Sequence, residues 1–124
     1  MSKKTPKALV TILEKDIAPR FDLATEVLVS SADANQKAEK NRAIVLARES
    51  EEDLCRLILD EEIEVVICGG IEQDILDYLK WKNVRVLDSV MGPWKRALKR
   101  FREGKLASGA MLFDRPSKGK GYER

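Results

Sequence analysis

Three short runs rich in β-branched residues punctuate the first part of the chain: Ala8–Leu13 (ALVTIL), Thr25–Ser31 (TEVLVSS) and Arg42–Arg48 (RAIVLAR). Each is short and apolar, the pattern of a strand with a buried face. The polar stretch Ala32–Asn41 joins the last two and suits an antiparallel return rather than a crossover helix. From Ser50 the period changes to helical. Ser50 is an N-cap candidate, and Glu51, Glu52 and Asp53 follow in the first turn, where carboxylates oppose the positive end of the helix dipole. Leu54, Leu57 and Ile58 then recur on one face. Val65–Cys68 (VVIC) predicts a central strand, apolar on both sides. Gly69-Gly70 makes the turn into a helix from about Ile71, which buries Ile71, Ile75 and Leu79 and stops at Asn83. Val84–Leu87 is a fifth strand. Pro93 opens the last helix, whose inward stripe is Trp94, Ala97, Leu98 and Phe101 and whose end is Gly104.

The predicted order is β-β-β-α-β-α-β-α. Three strands that can meander antiparallel are followed by two βα units, whose crossovers run right-handed and leave their strands parallel. That order suits a five-stranded mixed sheet flanked by helices, an α/β domain of the ribonuclease H-like kind. The Lys-rich residues 1–7 and the Gly/Ser/Lys-rich residues 107–124 are expected to be flexible ends around a folded domain of residues 8–106.

Composition narrows the class. At 124 residues and 44% apolar content the chain is one globular domain with a real core. The longest uncharged apolar run, Val65–Ile71, is far too short to span a membrane, and no signal-peptide pattern follows Met1. Two cysteines make no disulfide framework, so a reducing, cytoplasmic setting is expected. Histidine is absent. That excludes Ser-His-Asp and Cys-His catalysis and any metal site built on imidazole. The net charge of +2 hides an asymmetry: residues 21–90 carry eight Lys and Arg against sixteen acids, and residues 91–124 carry ten against three. A basic end can address an anionic ligand or nucleic acid, or simply be a solvated helix face and tail.

Two places could carry chemistry. Cys68-Gly69-Gly70 ends the central strand, where glycines let the backbone approach a ligand and a following helix offers N–H groups and a positive dipole end. A thiol there is expected to have a lowered pKa. The plainer reading is a tight turn with a small buried Cys. The loop Glu14–Ala24 (EKDIAPRFDLA) sets Lys15, Asp16, Arg20 and Asp22 around Pro19 and Phe21. Arg20 there could hold an anion by charge-assisted hydrogen bonds. Alternatively Phe21 plugs the core and Arg20 pairs with an acid. Cys55 and Cys68 lack the spacing of a zinc site. A ribonuclease H-type nuclease needs carboxylates on the first and fourth strands for its two metals. ALVTIL has none and the fourth ends in Cys-Gly-Gly, so nuclease activity is not expected.

With these motifs in order, Asp16–Ala24 (DIAPRFDLA), Val65–Ile71 (VVICGGI) and Gly104-Lys105-Leu106 closing the last helix, residues 8–106 resemble the dinitrogenase iron–molybdenum cofactor biosynthesis family. That family includes nitrogenase accessory and orange-protein-like chains. The resemblance implies a ribonuclease H-like domain that carries a metal–sulfur cluster and catalyses no reaction. The cargo it implies is the iron–molybdenum cofactor, its precursor, or a related molybdenum, iron or copper sulfide cluster. Cluster donor or acceptor proteins are the implied partners. On that basis Arg20, Phe21, Cys68, Gly69 and Gly70 are the expected cluster-binding residues, with Cys68 as the metal ligand. Members often carry His where this chain has Arg20 and Gly where it has Asp22, so no imidazole contact is available here. Two other readings remain: an interaction or regulatory module of the same fold without a cluster, and a nucleic-acid-binding domain using the basic end.

Overall fold

The computed structural model describes residues 6–32 and 39–113. Its elements are β1 (Ala8–Leu13), β2 (Asp16–Ile17), β3 (Glu26–Ala32), β4 (Glu39–Val45), α1 (Glu51–Asp60), β5 (Val65–Ile67), α2 (Gln73–Trp81), β6 (Arg85–Leu87) and α3 (Trp94–Arg102), with a 3-10 turn at Phe21–Leu23. The six strands form one mixed sheet in the order β4-β3-β1-β5-β6, with β2 paired to β1 alone. The first long strands meander antiparallel, β1 with β3 and β3 with β4. The βα units then place β5 parallel to β1 and β6 parallel to β5.

Strand β1 lies at the centre with both faces buried, and Thr11 is its one polar side chain, its Oγ1 without a hydrogen-bond partner among the described residues. Leu9 packs under α1 and α2, while Ala8, Val10 and Ile12 join α3 through Ala97, Leu98 and Phe101. Alternate side chains of a strand point to opposite faces, so one apolar run supplies two core layers. The caps follow the sequence. Ser50 Oγ accepts a hydrogen bond from the Asp53 N–H at 3.1 Å, a contact of about 1 kcal/mol. Asn83 and Gly104 take φ 66 and 75 just beyond α2 and α3. Among the described residues no helix is long and apolar enough to cross a membrane.

Four details differ from the sequence expectation. The sheet has a sixth strand, β2, which pairs with the end of β1 across a tight turn in which Glu14 takes φ 56. Strand β4 runs over Glu39–Val45, not Arg42–Arg48. It is an edge strand whose limits are set by pairing with Ala32 and Glu26 of β3, not by burial. Helix α2 starts at Gln73, because Gly70 is engaged with the loop at Pro19–Phe21 before the helix can form. Finally, the chain stays on the core beyond Leu106. Leu112 is buried beside α3, and its carbonyl accepts the Arg96 guanidinium at 2.8 Å. The rest of the expected tail, residues 114–124, lies outside the described residues, as does the 33–38 connection.

Candidate functional site

Strands β1, β5 and β6 are parallel, so their carboxyl ends meet at one edge of the sheet, the usual place for a ligand in an open α/β fold. A cleft of about 470 Å³ opens there. One wall is the β1–β2 hairpin, with Leu13, Glu14 and Asp16. Pro19, Gly69 and Gly70 form its floor, and Ser89–Gly92 with Phe113 form the facing wall. Its size is that of a small-ligand site.

Backbone contacts fix each wall. The hairpin is held against α3: the Trp94 indole Nε1–H donates to the Glu14 carbonyl at 3.2 Å, and the Trp94 N–H to the Lys15 carbonyl at 3.0 Å. The floor is a reciprocal pairing of the loop with the glycine turn. The Phe21 N–H donates to the Gly70 carbonyl at 2.8 Å and the Gly70 N–H to the Pro19 carbonyl at 2.7 Å. A Cβ at Gly69 would overlap the Ala18 and Pro19 carbonyl oxygens, so this close approach requires glycine. On the far wall, Ser89 takes φ 59 and its N–H donates to the Gly69 carbonyl at 2.8 Å. The N–H groups of Gly69 and Gly92, both on the lining, donate to no other described residue.

The structure brings together part of the expected set. Arg20, Gly69 and Gly70 are adjacent, with Arg20 and Gly70 bridged as partners. The Arg20 guanidinium, however, lies away from the cleft and forks onto Asp22, with Nε and Nη2 at 3.0 and 2.6 Å from its carboxylate oxygens. Asp22, Glu72 and Asp74 surround Glu51 on that side of the sheet. Burial and these like charges hold the Glu51 carboxyl above its usual range. The start of α2 is therefore an acidic neighbourhood, not an anion cradle. Phe21 is fully buried in the core beneath α1.

Cys68 needs a correction. The sequence suggests a thiol activated by a helix N-terminus, but α2 begins several residues later and Cys68 is fully buried beside Leu9, Ala18 and Phe21. Burial, with Asp88 nearby, pushes its pKa up to about 12. It is a neutral core thiol, not an available thiolate. Cys55 is also buried, and its pKa is raised, first by desolvation. Among the described residues no cluster of three or more His, Cys, Asp and Glu could hold a metal ion.

The facing wall, Ser89–Gly92, escaped the sequence reading. Its signal is the Gly92-Pro93 turn after the last strand, which marks a bend at the carboxyl edge. The aromatic residues of the basic helix are engaged: Phe101 is buried and the Trp94 indole is tied to the hairpin, so neither is a base-stacking platform.

No protein-family profile and no curated protein matches the chain. Solved structures do. The crystal structure of PH0822 aligns with a TM-score of 0.73 at 17% identity, covering 82% of this chain and 93% of that one. The protein MJ0327 of Methanocaldococcus jannaschii, named as a candidate dinitrogenase, aligns at 0.62 and 19%, covering 82% and 92%. The apo form of the orange protein of Desulfovibrio gigas aligns at 0.63 and 18%, covering 84% and 92%. At such identities the likeness is one of fold. Two of these neighbours, MJ0327 and the orange protein, are by name of the dinitrogenase and orange-protein kind that the sequence motifs resemble.

Proposed function

We propose that this chain is a ribonuclease H-like member of the dinitrogenase iron–molybdenum cofactor biosynthesis family and binds an anionic metal–sulfur cluster as cargo in the cleft at the carboxyl edge. The observation that carries this reading is the cleft itself, about 470 Å³ with a rigid backbone floor, in a fold shared with the orange protein. The sheet order and the antiparallel-then-parallel pairing support the fold assignment.

The residues present fit a cluster held without a protein thiolate. Gly69 and Gly92 N–H groups offer neutral donors, and Leu13, Met91 and Phe113 offer apolar contact to sulfide faces, with the anion seated on the floor and far wall away from the Glu14 and Asp16 carboxylates of the hairpin. Arg20 contributes little charge to the cleft while it is paired with Asp22. Cys68 takes no part as a ligand while it stays in the core. The function is binding and delivery to a donor or acceptor protein, for which the exposed rim of Leu13, Met91 and Phe113 supplies an apolar surface. Anaerobic incubation with iron, sulfide and molybdate, then gel filtration with metal analysis, tests it. Co-elution of metal and acid-labile sulfide with the protein supports the reading; metal-free protein from that incubation refutes it.

A further inference from the structure

We propose that Met91, which lines the cleft, and its bridge partner Met111 form a two-thioether site for one soft monovalent metal ion, Cu(I) or its analogue Ag(I). The proposal stands on the methionine pair and does not require the cleft to hold a cluster.

The two residues are register partners in a parallel bridge. Partners in such a bridge send their side chains to the same side, with Cα atoms about 4.8 Å apart. Two long, unbranched side chains rooted that close on one side of the chain pair can bring both sulfurs onto a single ion. The bridge is rigid. The Met91 N–H donates to the Ala110 carbonyl at 2.9 Å and the Met91 carbonyl accepts the Leu112 N–H at 2.8 Å. Leu112 is buried and tied by Arg96, and Gly92 at φ +118 presses against it so closely that a Cβ there would stand 2.9 Å from the Leu112 carbonyl carbon. Because the pair joins positions twenty residues apart, the site exists only in the folded chain.

Both side chains turn away from the core. Met91 is 49% and Met111 71% exposed, and Phe113, which lines the cleft with Met91, is 51% exposed. Methionine is unbranched, with a flexible thioether that can swing onto an ion. Thioethers are neutral, soft donors that carry no proton to displace, and they select Cu(I) over zinc and over oxygen-seeking cations. Of the other soft donors, both cysteines are buried, the chain has no histidine, and the third methionine, Met1, lies outside the described residues. Two thioethers leave the ion coordinatively open, so an exogenous anion can complete its shell.

The test is an Ag(I) titration of the full-length protein labelled with carbon-13 at the methionine methyls, in chloride-free and thiol-free buffer. Met91→Leu and Met111→Leu assign two of the three methionine methyl signals, the third being that of Met1. Both are exposed, volume-conserving changes that leave the fold intact. The expected result is concerted movement of the Met91 and Met111 methyl signals, at least tenfold weaker binding in either variant, and no movement with Zn(II). Met91 and Met111 signals that stay in place, a shift of one of them without the other, or wild-type binding in the double variant would overturn the proposal.

Discussion

Gly69 and Pro19 meet backbone to backbone. The approach is so close that any side chain at Gly69 collides with the Pro19 carbonyl, while the neighbouring Gly70 has its hypothetical Cβ at an ordinary 3.5 Å from the same oxygen. One glycine is therefore structural and the other is spare space on the floor of the cleft. Gly69→Ala should destabilise by about 1–3 kcal/mol through overpacking against backbone that cannot yield, whereas Gly70→Ala should stay within about 0.5 kcal/mol. Chemical denaturation of the two variants side by side checks this; equal losses would refute the distinction.

Truncation after Ala107 should lower the thermal midpoint. It removes Leu112 from the core beside Leu98 and Phe101 and takes away the carbonyl that receives Arg96. Loss of one buried leucine alone costs about 2–5 kcal/mol. Truncation after Phe113 keeps these contacts and should preserve that stability. An unchanged midpoint in the shorter protein would place the end of the folded core at Leu106 after all.

The buried Cys68 thiol makes stability fall in alkali. Its pKa is about 12 in the folded chain and lies near the ordinary thiol value once unfolded. Above that ordinary value the unfolded chain releases a proton that the folded chain retains. The contribution is intact at neutral pH and is lost progressively from about pH 9 towards 12. Unfolding midpoints at pH 7 and pH 10 should therefore diverge more for the wild type than for Cys68→Ala. A thiol reagent at pH 8 should modify Cys68 only as fast as the chain opens. Labelling within seconds in the native protein would show an accessible thiolate and restore Cys68 as a candidate ligand.

What could be read from sequence follows from what makes each element. β1, β3, β5 and the stripes of α1 and α3 are written as apolar periodicity because burial forms them, and Ser50 is legible because a cap is local chemistry. β2 is not: Asp16 and Ile17 become a strand by pairing with β1 and by the bridge from Asp16 to Pro93, a contact far along the chain. β4 is displaced from its apolar core because an edge strand is bounded by its partner's hydrogen bonds. The glycine turn and the loop were legible as neighbours in a site, but the direction of their side chains was not. Whether Arg20 faces a ligand or Asp22, and whether Cys68 faces a cleft or the core, depends on packing no local motif encodes. The far wall works through backbone, which leaves almost no trace in residue type.

The most direct measurement of the proposed function fills the cleft from within. Gly70 lines the cleft and a Cβ there meets only the Pro19 carbonyl at an ordinary 3.5 Å, so Gly70→Leu is expected to keep the fold and take up cargo space. Wild type, Gly70→Leu, Arg20→Ala and Cys68→Ala are incubated anaerobically with iron, sulfide and molybdate, desalted, and compared by visible absorption and metal content per chain. The expected result is a protein-bound chromophore in the wild type, loading reduced at least tenfold in Gly70→Leu, and near-normal loading in Arg20→Ala and Cys68→Ala. A natively folded Gly70→Leu protein that loads as fully as the wild type would contradict the cleft as the cargo site.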